Sequence, residues 1–183
     1  MLHYYFSPKE HLYEEMLFGI FSEVFTRLIP ILFEDMERDP RLKLERFVDA
    51  YVDFISSRPY LPPIILRELA GGAEMVVKVV SRILASRQVS MPEGIREVIA
   101  KGVKEDKIRP VDADQTAISI IGMSLFYFIG RPLIRLIFRL DPEKEDEFIA
   151  SRKRHIKEML RYGLFIGAEG IEEGGKKENE DEI

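Results

Sequence analysis

The chain has 183 residues, 46% of them apolar, with no Cys and a formal net charge of −5. This suits one domain with a real core, and it excludes a disulfide framework, a thiolate metal site and a cysteine nucleophile. Residues 169–183 hold two lysines against seven acids, which accounts for the whole net charge. The neutral body presents no broad basic field to nucleic acid.

The first helix is announced by Ser7-Pro8-Lys9-Glu10, with a cap residue, a proline at the first helical position and a carboxylate three residues after the cap. The pattern runs to about Glu34. Ser22, Glu23, Thr26 and Arg27 make a narrow polar stripe on an otherwise apolar cylinder, so the helix is expected to be mostly buried. Pro30 inside it predicts a kink. Asp39-Pro40 restarts the period, and Leu44, Phe47, Val48, Tyr51, Phe54 and Ile55 recur at helical spacing until Arg58-Pro59. A short helix follows Tyr60-Leu61-Pro62-Pro63 and ends at Ala70-Gly71-Gly72, and another spans about 73–86. Ser90-Met91-Pro92-Glu93 opens a helix to about Asp106. Asp112 and Gln115 form a further capping box ahead of the most apolar segment, about 113–139. Asp141-Pro142 starts the last helix, expected to reach Gly167. No segment alternates as a strand would, so the chain reads as an all-α bundle of about seven helices. The Gly-rich, acidic residues 169–183 are expected to be disordered.

The apolar run 117–138 is broken by Arg131, Pro132 and Arg135, which argues against a membrane span. As a helix apolar on nearly every face, it needs cover all round. The cover comes either from earlier helices of the same chain or from a second copy. In the second case Ile118, Gly122, Leu125 and Ile129 would meet Ile149, Ile156, Leu160 and Gly163 of the last helix in a four-helix seam between two chains.

Signs of catalysis are sparse. His11 precedes Glu14 and Glu15, and His155 precedes Glu158, by one helical turn. That order is the reverse of the Glu-x-x-His of di-iron bundles, and the additional inner carboxylates are missing, so no metal is expected. No phosphate loop, nucleophile elbow or dinucleotide fingerprint is present, so neither enzyme activity nor a cofactor is expected. Arg152-Lys153-Arg154-His155 reads as a solvated basic face. With no signal peptide visible, a cytoplasmic protein is expected.

The opening stretch His3-Tyr4-Tyr5-Phe6-Ser7-Pro8-Lys9-Glu10-His11-Leu12 resembles the junction between the DNA-binding and ligand-binding parts of the tetracycline-repressor family of transcription regulators. Arg67-Glu68-Leu69-Ala70-Gly71-Gly72 and the segment from Gly102 to Asp112 resemble stretches of that family's C-terminal domain, as do the last two helices. The resemblance implies a homodimer that binds a small effector. It implies that His3, Tyr5 and Lys9 touch DNA phosphates and that residues 1–7 are the end of a recognition helix. Residues 8–168 would then be the ligand-binding and dimerisation domain. The helices ahead of that remnant are not in the chain, so operator binding is expected only of a polypeptide carrying them. An effector cavity would be walled by Phe47, Tyr51, Phe54, Met75, Val79, Met123 and Tyr127, with Arg67 and Glu68 as polar contacts. Aromatic and Met side chains suit an apolar guest, although the same residues could equally form an ordinary core. A helical ligand-binding or scaffolding protein unrelated to transcription is the alternative.

Overall fold

The computed structural model describes residues 8–33, 37–86 and 90–167. The expected recognition-helix remnant (1–7), His3 and Tyr5 within it, and the expected disordered tail (169–183) lie outside the described residues. Seven α-helices follow in order: α1 (Pro8–Phe33), α2 (Pro40–Ser56), α3 (Leu61–Ala70), α4 (Glu74–Ser86), α5 (Met91–Lys104), α6 (Ala113–Phe138) and α7 (Glu145–Gly163). A 3-10 turn, Pro142–Lys144, precedes α7. No strand occurs among the described residues, and the fold is a helical bundle.

Three of the caps sit where the sequence puts them, and the expected cap Ser7 lies outside the described residues. The Asp39 carboxylate accepts from the backbone N–H of Arg41, with Pro40 opening α2. Ser90 and Glu93 satisfy each other's backbone N–H groups in a complete capping box. Asp112 accepts from the N–H groups of Asp114 and Gln115. The last helix departs from expectation at its end, stopping at Gly163 rather than Gly167. There the chain leaves the helix to bury Leu164 and Phe165. Arg109 N–H donates to the Leu164 carbonyl at 2.9 Å and Ile166 N–H to the Lys107 carbonyl at 2.8 Å. Two apolar side chains and two hydrogen bonds outweigh another helical turn.

Helix α2 is the hub. It packs against α1, α5, α6 and α7, and Leu44, Phe47, Val48, Val52 and Ile55 are wholly enclosed. Full burial of such a side chain is worth about 1.5–3 kcal/mol. Helix α1 lies against α2, α4 and α5. Gly94 lets α5 approach α1, since a Cβ there would sit 2.7 Å from the Phe33 ring and 2.9 Å from Leu32. The expectation of a mostly buried α1 holds for Leu17, Leu28 and Leu32, but Leu12 is exposed.

By length and composition, α6 and α1 from Lys9 onward are apolar enough to cross a membrane. Both also give one face to the core and pair their charges within the bundle. Glu14 and Glu15 of α1 bond Lys78 at 2.7 Å and Arg82 at 2.6 Å, both on α4. Arg131 and Arg135 of α6 pair with Glu145.

Candidate functional site

The placement of α7 decides what α6 leaves open. Glu45, Asp49 and Asp53 recur every four residues on α2, and Lys153, Lys157 and Arg161 do the same on α7. The helices run antiparallel, so the two rows meet as three rungs. Arg161 grips Glu45 with two hydrogen bonds, 2.6 and 2.7 Å. Lys157 reaches Asp49 at 3.1 Å and Lys153 reaches Asp53 at 2.8 Å. Beneath the rungs, Ile156 and Leu160 are buried within the subunit.

On the other side of α7 the fit to α6 is looser, and a cavity of about 320 Å³ remains. Its wall is built at helical spacing: Tyr127, Ile134 and Phe138 of α6, then Leu140 in the turn, then Phe148 and Arg152 one turn apart on α7, with Phe126 at the rim. Arg139 at φ 53° ends α6 in the left-handed region and swings Leu140 into place. The Tyr127 and Phe148 rings lie 4.7 Å apart.

One end of this apolar wall is polar. Tyr127 Oη donates to Glu145 Oε1 at 3.2 Å, and Arg131 and Arg135 hold the same carboxylate at 3.1 and 2.6 Å. Burial works to raise the Glu145 carboxyl, but Arg131 and Arg135 outweigh it and keep its pKa below the ordinary value. Burial, with Glu145 close by, raises the Tyr127 phenol.

Arg152 is the unusual group. One terminal nitrogen donates to the Met123 carbonyl at 2.8 Å. Its Nε is buried and has no hydrogen-bond partner. No carboxylate among the described residues pairs with it, and burial lowers the guanidinium pKa. An unmet buried donor costs about 1–3 kcal/mol.

Beyond the rim, one face of α6 carries a row of exposed apolar side chains, Ile118, Phe126, Leu133, Leu136 and Ile137, with Phe138 exposed on the cavity side. Leu136 is 75% exposed. On α7, Met159 and Tyr162 are also exposed. Gly122 and Gly163 meet nothing within 4 Å of where a Cβ would stand. Isolated apolar residues on a surface are ordinary, but a stripe of this length is not.

Residues 40–160 match the family model for a tetracyclin repressor-like C-terminal domain. The chain belongs to the tetracycline-repressor family. No curated protein matches it. Membership points to a regulator rather than an enzyme. Among the described residues, no three His, Cys, Asp or Glu side chains are grouped to hold a metal.

With this tetracycline-repressor-like domain in view, the residues expected from sequence fall into three sets. Lys9 is exposed in the first turn of α1. The expected effector residues are not gathered round one described cavity. Phe47 and Tyr51 stack in the core at 5.6 Å, and Val79 is fully enclosed. Phe54 is buried under the Arg58 guanidinium and lines a separate groove of mixed character with Arg27, Leu28, Asp53 and Ser57. Met75 and Met123 are half-buried against the core. Arg67 is exposed, lies over the Tyr13 ring and bonds its hydroxyl, which in turn donates to Glu68 at 2.6 Å. Only Tyr127 lines the α6–α7 cavity.

Of the residues expected at a seam between chains, Ile118, Gly122 and Gly163 are exposed, and Leu125, Ile129 and Ile149 are half-buried. Ile156 and Leu160 are enclosed beneath the α2–α7 rungs, against the subunit's own core. Sequence reasoning missed Leu133, Leu136 and Ile137, although extending the register of Ile118, Gly122, Leu125 and Ile129 leads to them. It also missed Arg152, which lay hidden inside a run read as a solvated face.

Proposed function

We propose that this chain is the effector-binding and homodimerising region of a tetracycline-repressor-like transcription regulator. The observation that carries this reading is the open apolar stripe of α6 beside Gly122 and Gly163, in a chain of that family. Two copies related by a twofold axis would each cover the other's stripe, and small residues let helices approach closely. In a polypeptide that includes the helix-turn-helix, His3, Tyr5 and Lys9 would touch operator phosphates. Helix α1 is suited to carry the signal, because Tyr13, Glu14 and Glu15 near its start are tied to α3 and α4.

The effector is proposed to be small and largely apolar. A guest among Phe47, Tyr51 and Val79 would have to displace packed side chains, whereas the α6–α7 cavity already has room and an apolar aromatic wall. We therefore favour the latter. The chain has no Cys of its own, so single cysteines test the seam cleanly. With Ile118→Cys, Gly122→Cys and Leu136→Cys tested singly, oxidation is expected to link two chains at one or more of these positions. Glu97→Cys, exposed on α5, should stay unlinked. Failure of all three α6 positions would refute the proposed seam.

A further inference from the structure

We infer that the cavity between α6 and α7 takes a small apolar carboxylate, its ring or branched body against the aromatic wall and its anion on Arg152. The inference rests on the effector-binding reading above and adds the chemical class of the guest. A purely hydrocarbon guest would fit Tyr127, Ile134, Phe138, Leu140 and Phe148, but it would leave the guanidinium charge of Arg152 without a counter-ion. A cation would meet the guanidinium as a like charge. Glu145, the carboxylate at this wall's polar end, is already held by Arg131 and Arg135, so it does not neutralise Arg152. Asp146 and Glu147, next to it in the chain, are exposed to water.

Arg152 is also held ready. Its bond to the Met123 carbonyl fixes the planar head through one terminal nitrogen, leaving the second terminal nitrogen as the donor for an incoming oxygen. Arg–carboxylate hydrogen bonds are charge-assisted and stronger than neutral ones. The volume, about 320 Å³, lies at the lower end of the range of small-molecule pockets, which favours one or two fused rings over a long chain. Phe126 belongs both to the rim and to the exposed stripe of α6, and Phe138 flanks the mouth on the cavity side. A second copy docked on that stripe would therefore close the mouth, coupling occupancy to the geometry of the dimer.

Calorimetric titration of the full chain with 1-naphthylacetate and with its neutral amide, 1-naphthylacetamide, tests this. The carboxylate is expected to bind about tenfold or more tighter than the amide, the scale of a hydrogen bond to a charged group. Arg152→Gln should abolish that preference, chiefly by weakening the binding of the carboxylate. Should that variant fail to fold, methyl NMR of the unaltered chain locates the guest. Naphthylacetate should then shift Ile134 and Leu140 and leave the core residues Ile95 and Ile99 in place. Equal affinity for acid and amide, unchanged preference in Arg152→Gln, or shifts confined elsewhere would each overturn the inference. A dimer that ignores both probes would overturn the anion site and leave the regulator reading standing. A monomer that still prefers the acid would do the reverse.

Discussion

Helix α7 has two long neighbours, and the contrast between them is instructive. Against α2 it is closed: three ion-pair rungs lie over a seam where Ile156 and Leu160 are sealed. Against α6 it is ajar, with a cavity, an unmet arginine nitrogen and an apolar stripe left facing outward. The closed seam is what one chain needs to fold. The open one is surplus to folding, and surplus apolar surface held in a fixed shape is the raw material of binding.

The comparison can be broken in several places. Phe47→Ala, at the centre of α2, should cost about 3–5 kcal/mol of stability in urea unfolding, whereas Phe138→Ala on the open side should cost under about 0.5 kcal/mol in the monomer. Next in size is the innermost rung. Glu45 is buried while Arg161 is partly exposed, so Glu45→Ala should cost about 2 kcal/mol, below the range of fully buried pairs, and a double-mutant cycle with Arg161→Ala should show coupling. Leu136→Glu should leave the unfolding midpoint of the monomer nearly unchanged while shifting the chain from dimer to monomer in light scattering.

A smaller effect follows acid. Burial tends to raise the Asp39 carboxyl, but the Arg41 side chain and backbone N–H outweigh it, and Asp39, like Glu145, titrates below its ordinary value. The ionised forms thus favour folding. Their contribution is complete above the unfolded-state pKa of about 4 and fades as pH falls through the lowered folded-state values. Urea midpoints should accordingly be flat from neutral pH down to about 5 and then decline, and Asp39→Asn should flatten that decline. Smallest is the outermost rung: Asp53 is 60% exposed, so Lys153→Ala should cost only about 0.5 kcal/mol or less.

How much of this was legible beforehand follows from the range of the forces involved. Caps and breakers act within four residues, so Asp39-Pro40, Ser90 to Glu93 and Asp112 marked helix starts that the structure keeps. The early stop at Gly163 was not legible, because the loop holding Leu164 and Phe165 comes from Lys107 to Arg109, over fifty residues away. The α2–α7 rungs were visible as two four-residue charge periods, but nothing local says that one row faces the other. Arg152 shows the limit most sharply. Flanked by Lys153, Arg154 and His155, it looked solvated; the helix turns it towards Phe148 and Met123 while its neighbour Lys153 points to Asp53. The expected effector wall failed to gather for the same reason, since aromatics at helical spacing describe a core and a pocket equally well.

The central claim is that the open side of α6 is covered by a second copy of the chain. Sedimentation equilibrium at micromolar concentration tests it most directly. A dimer with twice the chain mass of 21.3 kDa, reverting to single chains in Leu136→Glu, is the predicted result. A 21.3 kDa monomer throughout that range, with Leu136→Glu indistinguishable from the unaltered chain, would contradict it.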